Sequence, residues 1–265
     1  MVLAMEYRCS RGRGPFDIAR RGEMKPFLAA PARSLYRRIL RPAQITELSK
    51  MRQFYSQFAG AGDLVFDVGA NAGEYAEAFA LTGARVVAIE ANPAFRNRLN
   101  SLSPRIVAES CAAGAVDGTA TINICSQPAY STLSSDWLHQ TEHLPDYQNV
   151  KWQQRVTVPV FTLDTLAKRH GVPRFVKIDV EGFETEVLKG MTFRPESISF
   201  EFSARNKAIG LGCISMLSGY LFRPIIGHDF TFIHPEWLSA DQASGWLRSY
   251  SYTEGENGDV FARRT

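Results

Sequence analysis

The sequence predicts the α/β class, with mostly parallel strands alternating with helices in one layered domain. Three observations predict it. The apolar run Leu64-Val65-Phe66-Asp67-Val68 lies between Gly62-Asp63 and Gly69, the pattern of a strand buried on both faces of a parallel sheet. A glycine-bounded turn, Gly69-Ala70-Asn71-Ala72-Gly73, then leads into the alanine-rich, helix-forming stretch Glu74 to Leu81, whose first amides point at whatever sits over the turn. The next strand, Arg85 to Ile89, is closed by Glu90, so an acid stands at the tip of the second strand, where it binds ribose hydroxyls. Together these make the nucleotide half of a Rossmann-like, doubly wound sheet.

The chain has 265 residues, 45% of them hydrophobic, enough for one substantial core. Residues 1–42 read as a basic N-terminal arm, partly disordered or helical, and 43–265 as the catalytic domain. Ten Lys/Arg against three Asp/Glu fall in residues 1–41, whereas the rest of the chain carries twenty against twenty-four. The arm is therefore a solvated extension or a peripheral contact for an anionic membrane surface; nucleic acid is not the expected partner. Cys9, Cys111, Cys125 and Cys213 form no CxxC pair, which argues against a zinc knuckle or disulfide framework and for a reducing cytoplasm. No run of about eighteen apolar residues is present to span a bilayer, and no signal-peptide core is visible.

From Pro31 to Phe58 apolar residues recur at helical spacing, placing helices beside the sheet or over the cofactor pocket. Asn92-Pro93 opens a helix with Phe95, Leu99 and Leu102 on one face, and Arg105 to Ala108 is a third strand. The small residues from Ser110 to Gly114, Cys111 and Ala112 among them, let a flat ring lie close to the backbone. Thr119 to Cys125 and Arg155 to Phe161 alternate as added strands or a hairpin. The polar, aromatic stretch Gln127 to Gln154 between them reads as a substrate lid or as structural filler.

Thr162 is the expected N-cap of the helix that Gly171-Val172-Pro173 ends. The strand Arg174 to Ile178 then delivers Asp179, Glu181 and Glu184 to one loop, with Gly182 permitting the turn, and Ser197 to Phe202 brings Glu201 to the end of the following strand. In a parallel sheet the C-terminal strand ends share one ligand crevice, so these carboxylates belong with Gly69 and Glu90. Gly219 to Ile226, a helix with Trp246 and Leu247, and a strand Asp259 to Ala262 complete seven strands with an antiparallel edge strand.

The turn lacks the middle glycine of the dinucleotide fingerprint G-x-G-x-x-G, which argues against a pyrophosphate ligand. Asp67 before it suits a cationic amino group, and Glu90 a ribose. S-adenosylmethionine meets both conditions. The expected cofactor contacts are Asp67, Gly69, Asn71, Gly73, Glu90, Ala91, Asn92, Cys111, Ala112 and Asp179. Carboxylates crowded together have raised pKa values suited to base chemistry, which makes Asp179 the first candidate base and Glu181 the second, with Glu201 and Glu184 also able to orient the acceptor. Mg²⁺ between Asp179 and Glu201 suits hard oxygen ligands, but no residue pattern requires it, and no metal is expected. His139, His143 and His228 are rival bases. Tyr147, Lys151 and Ser134 imitate the set of short-chain dehydrogenases, without the helical spacing or glycines that this chemistry needs.

The residues Phe66-Asp67-Val68-Gly69-Ala70-Asn71-Ala72-Gly73, Glu90-Ala91-Asn92-Pro93, Ser131-Thr132-Leu133, Thr162-Leu163-Asp164 and above all Lys177-Ile178-Asp179-Val180-Glu181-Gly182-Phe183-Glu184 resemble the FkbM-type methyltransferases. The resemblance covers roughly Phe58 to Ala262. It implies a seven-stranded Rossmann-like sheet, S-adenosylmethionine, and O-methylation of a hydroxyl on a sugar, glycan or natural product. The Asn/Asp-Pro-Pro-aromatic turn of nucleobase amino methylases is replaced by Asp179-Val180-Glu181-Gly182. The alternative is a non-catalytic module that binds S-adenosylmethionine or nucleic acid.

Overall fold

A computed structural model describes residues 42–127, 130–143, 149–204, 206–227, 229–251 and 257–265. The basic arm up to Arg41, Tyr147 and His228 lie outside the described residues, and so do the expectations placed on them. Residues 46–265 form one compact unit. In chain order the elements are α1 (Pro42–Tyr55), β1 (Leu64–Val68), α2 (Glu74–Leu81), β2 (Arg85–Ile89), α3 (Arg96–Leu102, after a 3₁₀ turn at Pro93–Phe95), β3 (Ile106–Glu109), β4 (Ala112–Ala113), β5 (Gly118–Cys125), α4 (Ser135–Thr141), β6 (Trp152–Phe161), α5 (Leu163–His170), β7 (Phe175–Ile178), α6 (Glu184–Lys189), β8 (Ser197–Phe202), α7 (Lys207–Met216), β9 (Tyr220–Ile226), α8 (Ala240–Ser249) and β10 (Gly258–Arg264).

The main sheet runs β3-β2-β1-β7-β8-β10-β9. β1, β2, β3, β7 and β8 pair in parallel, and β10 is antiparallel to both β8 and β9. The seven-stranded, mostly parallel sheet predicted from the sequence is thus present, with its reversed strand one place in from the edge. The chain order reverses between β1 and β7, which is where ligands bind in such sheets. All five residues of β1 and all four of β7 are buried, as strands covered on both faces must be.

One face of the sheet carries a core of Phe66, Val68, Ile178, Phe200 and their neighbours. The other is dominated by aromatic rings, with Tyr55 at the end of α1 and Phe58 just beyond it meeting Phe79, Phe175 and Phe261. Phe58 stacks on Phe175 at 5.3 Å and on Phe261 at 5.0 Å between centroids. Each such ring buried contributes about 1.5–3 kcal/mol, enough to fix α1 beside the sheet. The hairpin expected from Thr119 to Cys125 and Arg155 to Phe161 forms as β5 against β6, in a separate three-stranded sheet with β4. Helix ends follow local chemistry. Thr162 caps α5 by accepting from the Thr165 amide at 3.1 Å, and Asn92 accepts from the Ala94 amide at 3.1 Å.

Candidate active site

A cleft opens above the ends of β1, β2 and β7. Its empty space is about 870 Å³ when the open solvent at its mouth is included. Of the residues expected to bind cofactor, Gly69, Asn71, Glu90, Ala91, Cys111, Ala112 and Asp179 line it. Gly69 holds a φ of 83°, and a Cβ there would stand 1.7 Å from the Asp179 carbonyl oxygen. Glycine is therefore required for the close approach of β1 to the β7 loop as well as for ligand space. Glu90 organises the turn: its Oε2 accepts from the Asn71 amide at 2.7 Å and its Oε1 from the Asn92 amide at 2.6 Å. Each oxygen keeps a further lone pair for a ribose hydroxyl.

Asp67, Gly73 and Asn92 do not line the cleft. Asn92 is buried and caps the 3₁₀ turn, and Gly73, at a φ of 87°, packs against Leu99 and Leu102. Asp67 is buried beside Lys177, its register partner on β7. Burial pushes its carboxyl up to about 7, against the pull of the Lys177 ammonium. Neither of its oxygens has a hydrogen bond of standard geometry, although the Ala76 amide favours the charged form. The sequence placed Asp67 near a cofactor amino group; the structure places it in a polar row Asp67, Lys177, Ser199 across the three central strands.

Lys177 carries a role that the sequence reading gave to none of its residues. It is 1% exposed, donates from Nζ to Asp179 Oδ2 at 2.7 Å, and lies 4.0 Å from the centre of the Tyr75 ring. Burial works against its ammonium, but the negative groups around it, Asp179 foremost, hold its pKa above the usual lysine range. The signal was available: residues two apart on a strand share a face, so a lysine two places before a strand-end acid is set to pair with it.

The loop after β7 gathers the carboxylates. One oxygen from each of Asp179, Glu181 and Glu201 lies within 4.8 Å of the others, a spacing a cation could bridge. Lys177 already supplies a positive charge to this group. Burial first, then neighbouring carboxylates, raises Glu181 and Glu201 well above the usual range. Glu184, pushed up to about 7 chiefly by burial, is not a solvated helix-end acid. Its Oε1 accepts from the Val180 and Gly182 amides at 3.1 and 3.3 Å, which closes the loop on itself. Glu181 sits at a φ of 53°, a left-handed conformation that costs a non-glycine residue about 1–2 kcal/mol.

The segment after β5 buttresses that strained residue. Thr132 is fully buried and donates from Oγ1 to the Glu181 carbonyl at 2.8 Å. Trp137 on α4 packs on Gly182, where a Cβ would fall 2.6 Å from the indole. The described part of the expected lid is thus wedged against the acid loop. His139 and His143 on it are exposed, with ring nitrogens 3.5 and 3.4 Å from Glu142 Oε1, and neither lines the cleft. Ser134 is the N-cap of α4, and Lys151 immediately precedes β6, so the dehydrogenase imitation has no helix for its lysine.

The described residues lining the cleft include Glu74, Glu90, Asp179 and Glu181 and no Lys, Arg or His. This donor set suits a cationic ligand with a ribose, as S-adenosylmethionine is. Among the described residues no helix is long and apolar enough to cross a membrane.

Comparison with known proteins places the chain in a family. A curated relative, the hexuronic acid methyltransferase AglP of Haloferax volcanii, is 31% identical over 140 residues, 52% of this chain and 54% of its own. The chain therefore spans about half the length of the curated relative it matches. Among solved structures, an O-methyltransferase from Bacillus cereus in complex with SAH aligns over 83% of this chain and 81% of its own at 13% identity and a TM-score of 0.40. The precorrin-6y C5,15-methyltransferase from Geobacter metallireducens aligns over 84% and 87% at 13% identity and the same TM-score. The model of the methyltransferase FkbM domain matches residues 67–243, a span from the strand before the glycine turn into α8, and the chain belongs to the FkbM methyltransferase family, with S-adenosylmethionine as its cofactor.

Proposed function

We propose that this protein is an S-adenosylmethionine-dependent O-methyltransferase acting on a hydroxyl of a sugar, glycan or sugar-bearing natural product. The observation that carries the reading is the convergence of Asp179, Glu181 and Glu201 at the end of the Glu90-organised cleft. The curated relative named for hexuronic acid supports a sugar as the acceptor class.

When bound, the cofactor would supply an electrophilic methyl on a sulfonium whose sulfur can keep the electron pair of the methyl–sulfur bond. Glu90, Asn71 and the Gly69 turn would hold its ribose and amino-acid ends, and Ala91, Cys111 and Ala112 its ring. The acceptor hydroxyl's proton passes to a carboxylate of the acid loop. Asp179 is the first candidate: Lys177 occupies its Oδ2, which fixes the side chain and leaves Oδ1 for the acceptor. Glu181, with its raised pKa, is the second, since a base is most effective near its operating pH. Much of the rate would come from holding the oxygen about 3 Å from the methyl and keeping water out.

The test is incubation with labelled S-adenosylmethionine and a glycan extract, read by label transfer and S-adenosylhomocysteine release. Transfer to a sugar fraction is expected, falling at least a hundredfold in Asp179→Ala or Glu181→Ala. Unchanged turnover in both variants would overturn the base assignment. Tight cofactor binding without any transfer would favour the non-catalytic module.

A further inference from the structure

Two residues of the cleft wall touch a cation that lies behind it. Tyr75 and Asp179 both line the cofactor cleft, whereas Lys177, 1% exposed, does not. The Lys177 Nζ donates to Asp179 Oδ2 at 2.7 Å and stands 4.0 Å from the centre of the Tyr75 ring. Asp179 foremost, then Tyr75, Asp259 and Asp67, keep this ammonium charged against the effect of its burial. The cofactor brings another positive charge, its sulfonium, to the open side of the same wall. A fixed ammonium and a sulfonium repel each other, and the repulsion grows where water is excluded. The wall therefore has two tasks: to hold the ammonium in place and to keep it from facing the methyl donor.

We infer that Tyr75 is a specificity-determining residue for the cofactor: its ring screens the Lys177 ammonium from the cleft, so that a positively charged methyl donor is accepted beside a buried cation. This rests on the methyltransferase reading above and deepens it. Asp179 offsets the charge of the ammonium, and the Tyr75 ring covers it. An aromatic face attracts an ammonium, most strongly where both are desolvated. Burial foremost holds the Tyr75 hydroxyl above the usual tyrosine range, so the phenol is neutral and the lysine meets a ring face rather than a phenolate. The ring is held from two sides. Tyr75 is the second residue of α2, placed by the turn that ends at Gly73, and it meets the fully buried Tyr55 ring edge to face at 5.9 Å. An aliphatic side chain at this position would fill less of the wall and offer the ammonium no face. Lys177 would then open toward the cleft, and a sulfonium would lose more by it than a neutral thioether of nearly the same shape.

The experiment measures the affinity of the full chain for S-adenosylmethionine and for S-adenosylhomocysteine by calorimetry. The two ligands differ only in the transferred methyl and the charge it places on sulfur. Tyr75→Leu and Tyr75→Met both remove the ring and keep apolar bulk, so that either one can carry the test. Each is expected to weaken S-adenosylmethionine at least fivefold more than S-adenosylhomocysteine, whereas Tyr75→Phe, which keeps the ring, should hold the ratio within about twofold of wild type. In the Lys177→Met/Asp179→Asn background the ammonium is gone, and Tyr75→Leu should there weaken both ligands equally. A salt titration gives a readout that needs only the single variants: the excess loss for S-adenosylmethionine should shrink as potassium chloride screens the uncovered ammonium. Equal weakening of both ligands by the single ring-removing variants would make Tyr75 a packing residue and overturn the inference. An excess loss that appears also in Tyr75→Phe, persists in the background without the ammonium, or ignores salt would overturn it as well, since the hydroxyl or a direct contact of the ring with the sulfonium would then be responsible. Failure of the wild type to bind either ligand would instead overturn the methyltransferase reading on which it rests.

Discussion

The two halves of the site hold their carboxylates in opposite ways. On the cofactor side, Glu90, whose pKa burial raises, is held by one amide on each oxygen, from Asn71 and Asn92. On the acid-loop side, Asp179, Glu181 and Glu201 face one another, and the counter-charge comes from a buried lysine on the strand below, 2.7 Å from Asp179. The first arrangement is built from residues within a short stretch and stabilises a negative charge by fixed local dipoles. The second collects groups from β7, its loop and β8 and balances charge against charge. A half made of backbone amides tolerates the loss of one partner, whereas a half made of buried charges does not.

The largest way to break the comparison is therefore Lys177→Met. Removing one member of a buried ion pair costs about 3–5 kcal/mol because the other charge is stranded. Asp179 is 30% exposed, so the low end of that range is expected, read as a drop in unfolding free energy by urea titration. The double variant Lys177→Met/Asp179→Asn should recover most of the loss, since it removes the stranded charge with its partner. If the single variant stays within about 0.5 kcal/mol of wild type, the lysine is not what holds the acid loop.

The same contrast explains what could be read from the chain. The glycine turn, the bounds of α2, the acid at the end of β2 and the N-cap at Thr162 all follow from patterns of a few residues, and each appears as expected. The seven strands follow from apolar runs separated by breakers. What was not legible depends on contacts between distant stretches. Thr132 meets Glu181 49 positions away, and Trp137 seats on Gly182; no local pattern pairs them. Asp67 reads as a ligand-facing acid because it precedes the turn, but strand alternation turns it into the row with Lys177 and Ser199. The turn of the acid loop passes through the left-handed backbone of Glu181, a conformation that a glutamate does not announce.

On the cofactor side, Glu90→Ala should give a smaller, more specific effect. It removes the acceptor for two amides and the proposed ribose contact. Hydrogen bonds to a charged group contribute about 1.5–3 kcal/mol each, and water can replace part of this at an open cleft. Affinity for S-adenosylhomocysteine should fall about ten- to a hundredfold by calorimetry, with little change in the acceptor KM. A matching rise in acceptor KM would mean that the two halves are not separate.

The smallest expected effect tests whether the acid loop is preorganised. Thr132 donates to the Glu181 carbonyl at 2.8 Å, and its Oγ1 accepts from the Ser134 amide at 2.9 Å. It thus ties the segment leading into α4 to Glu181, which is in a left-handed conformation. Thr132→Val keeps the shape and β-branching of the side chain and removes both bonds, at a cost of about 1 kcal/mol. If those bonds hold Glu181 in place, kcat should fall several-fold more than stability alone explains, affinity for S-adenosylhomocysteine should not move, and Thr132→Ser should restore the rate. A loss of stability with kcat unchanged would make Thr132 a packing residue only. Glu181 would then be held by the turn itself, through the Gly182 amide and Glu184.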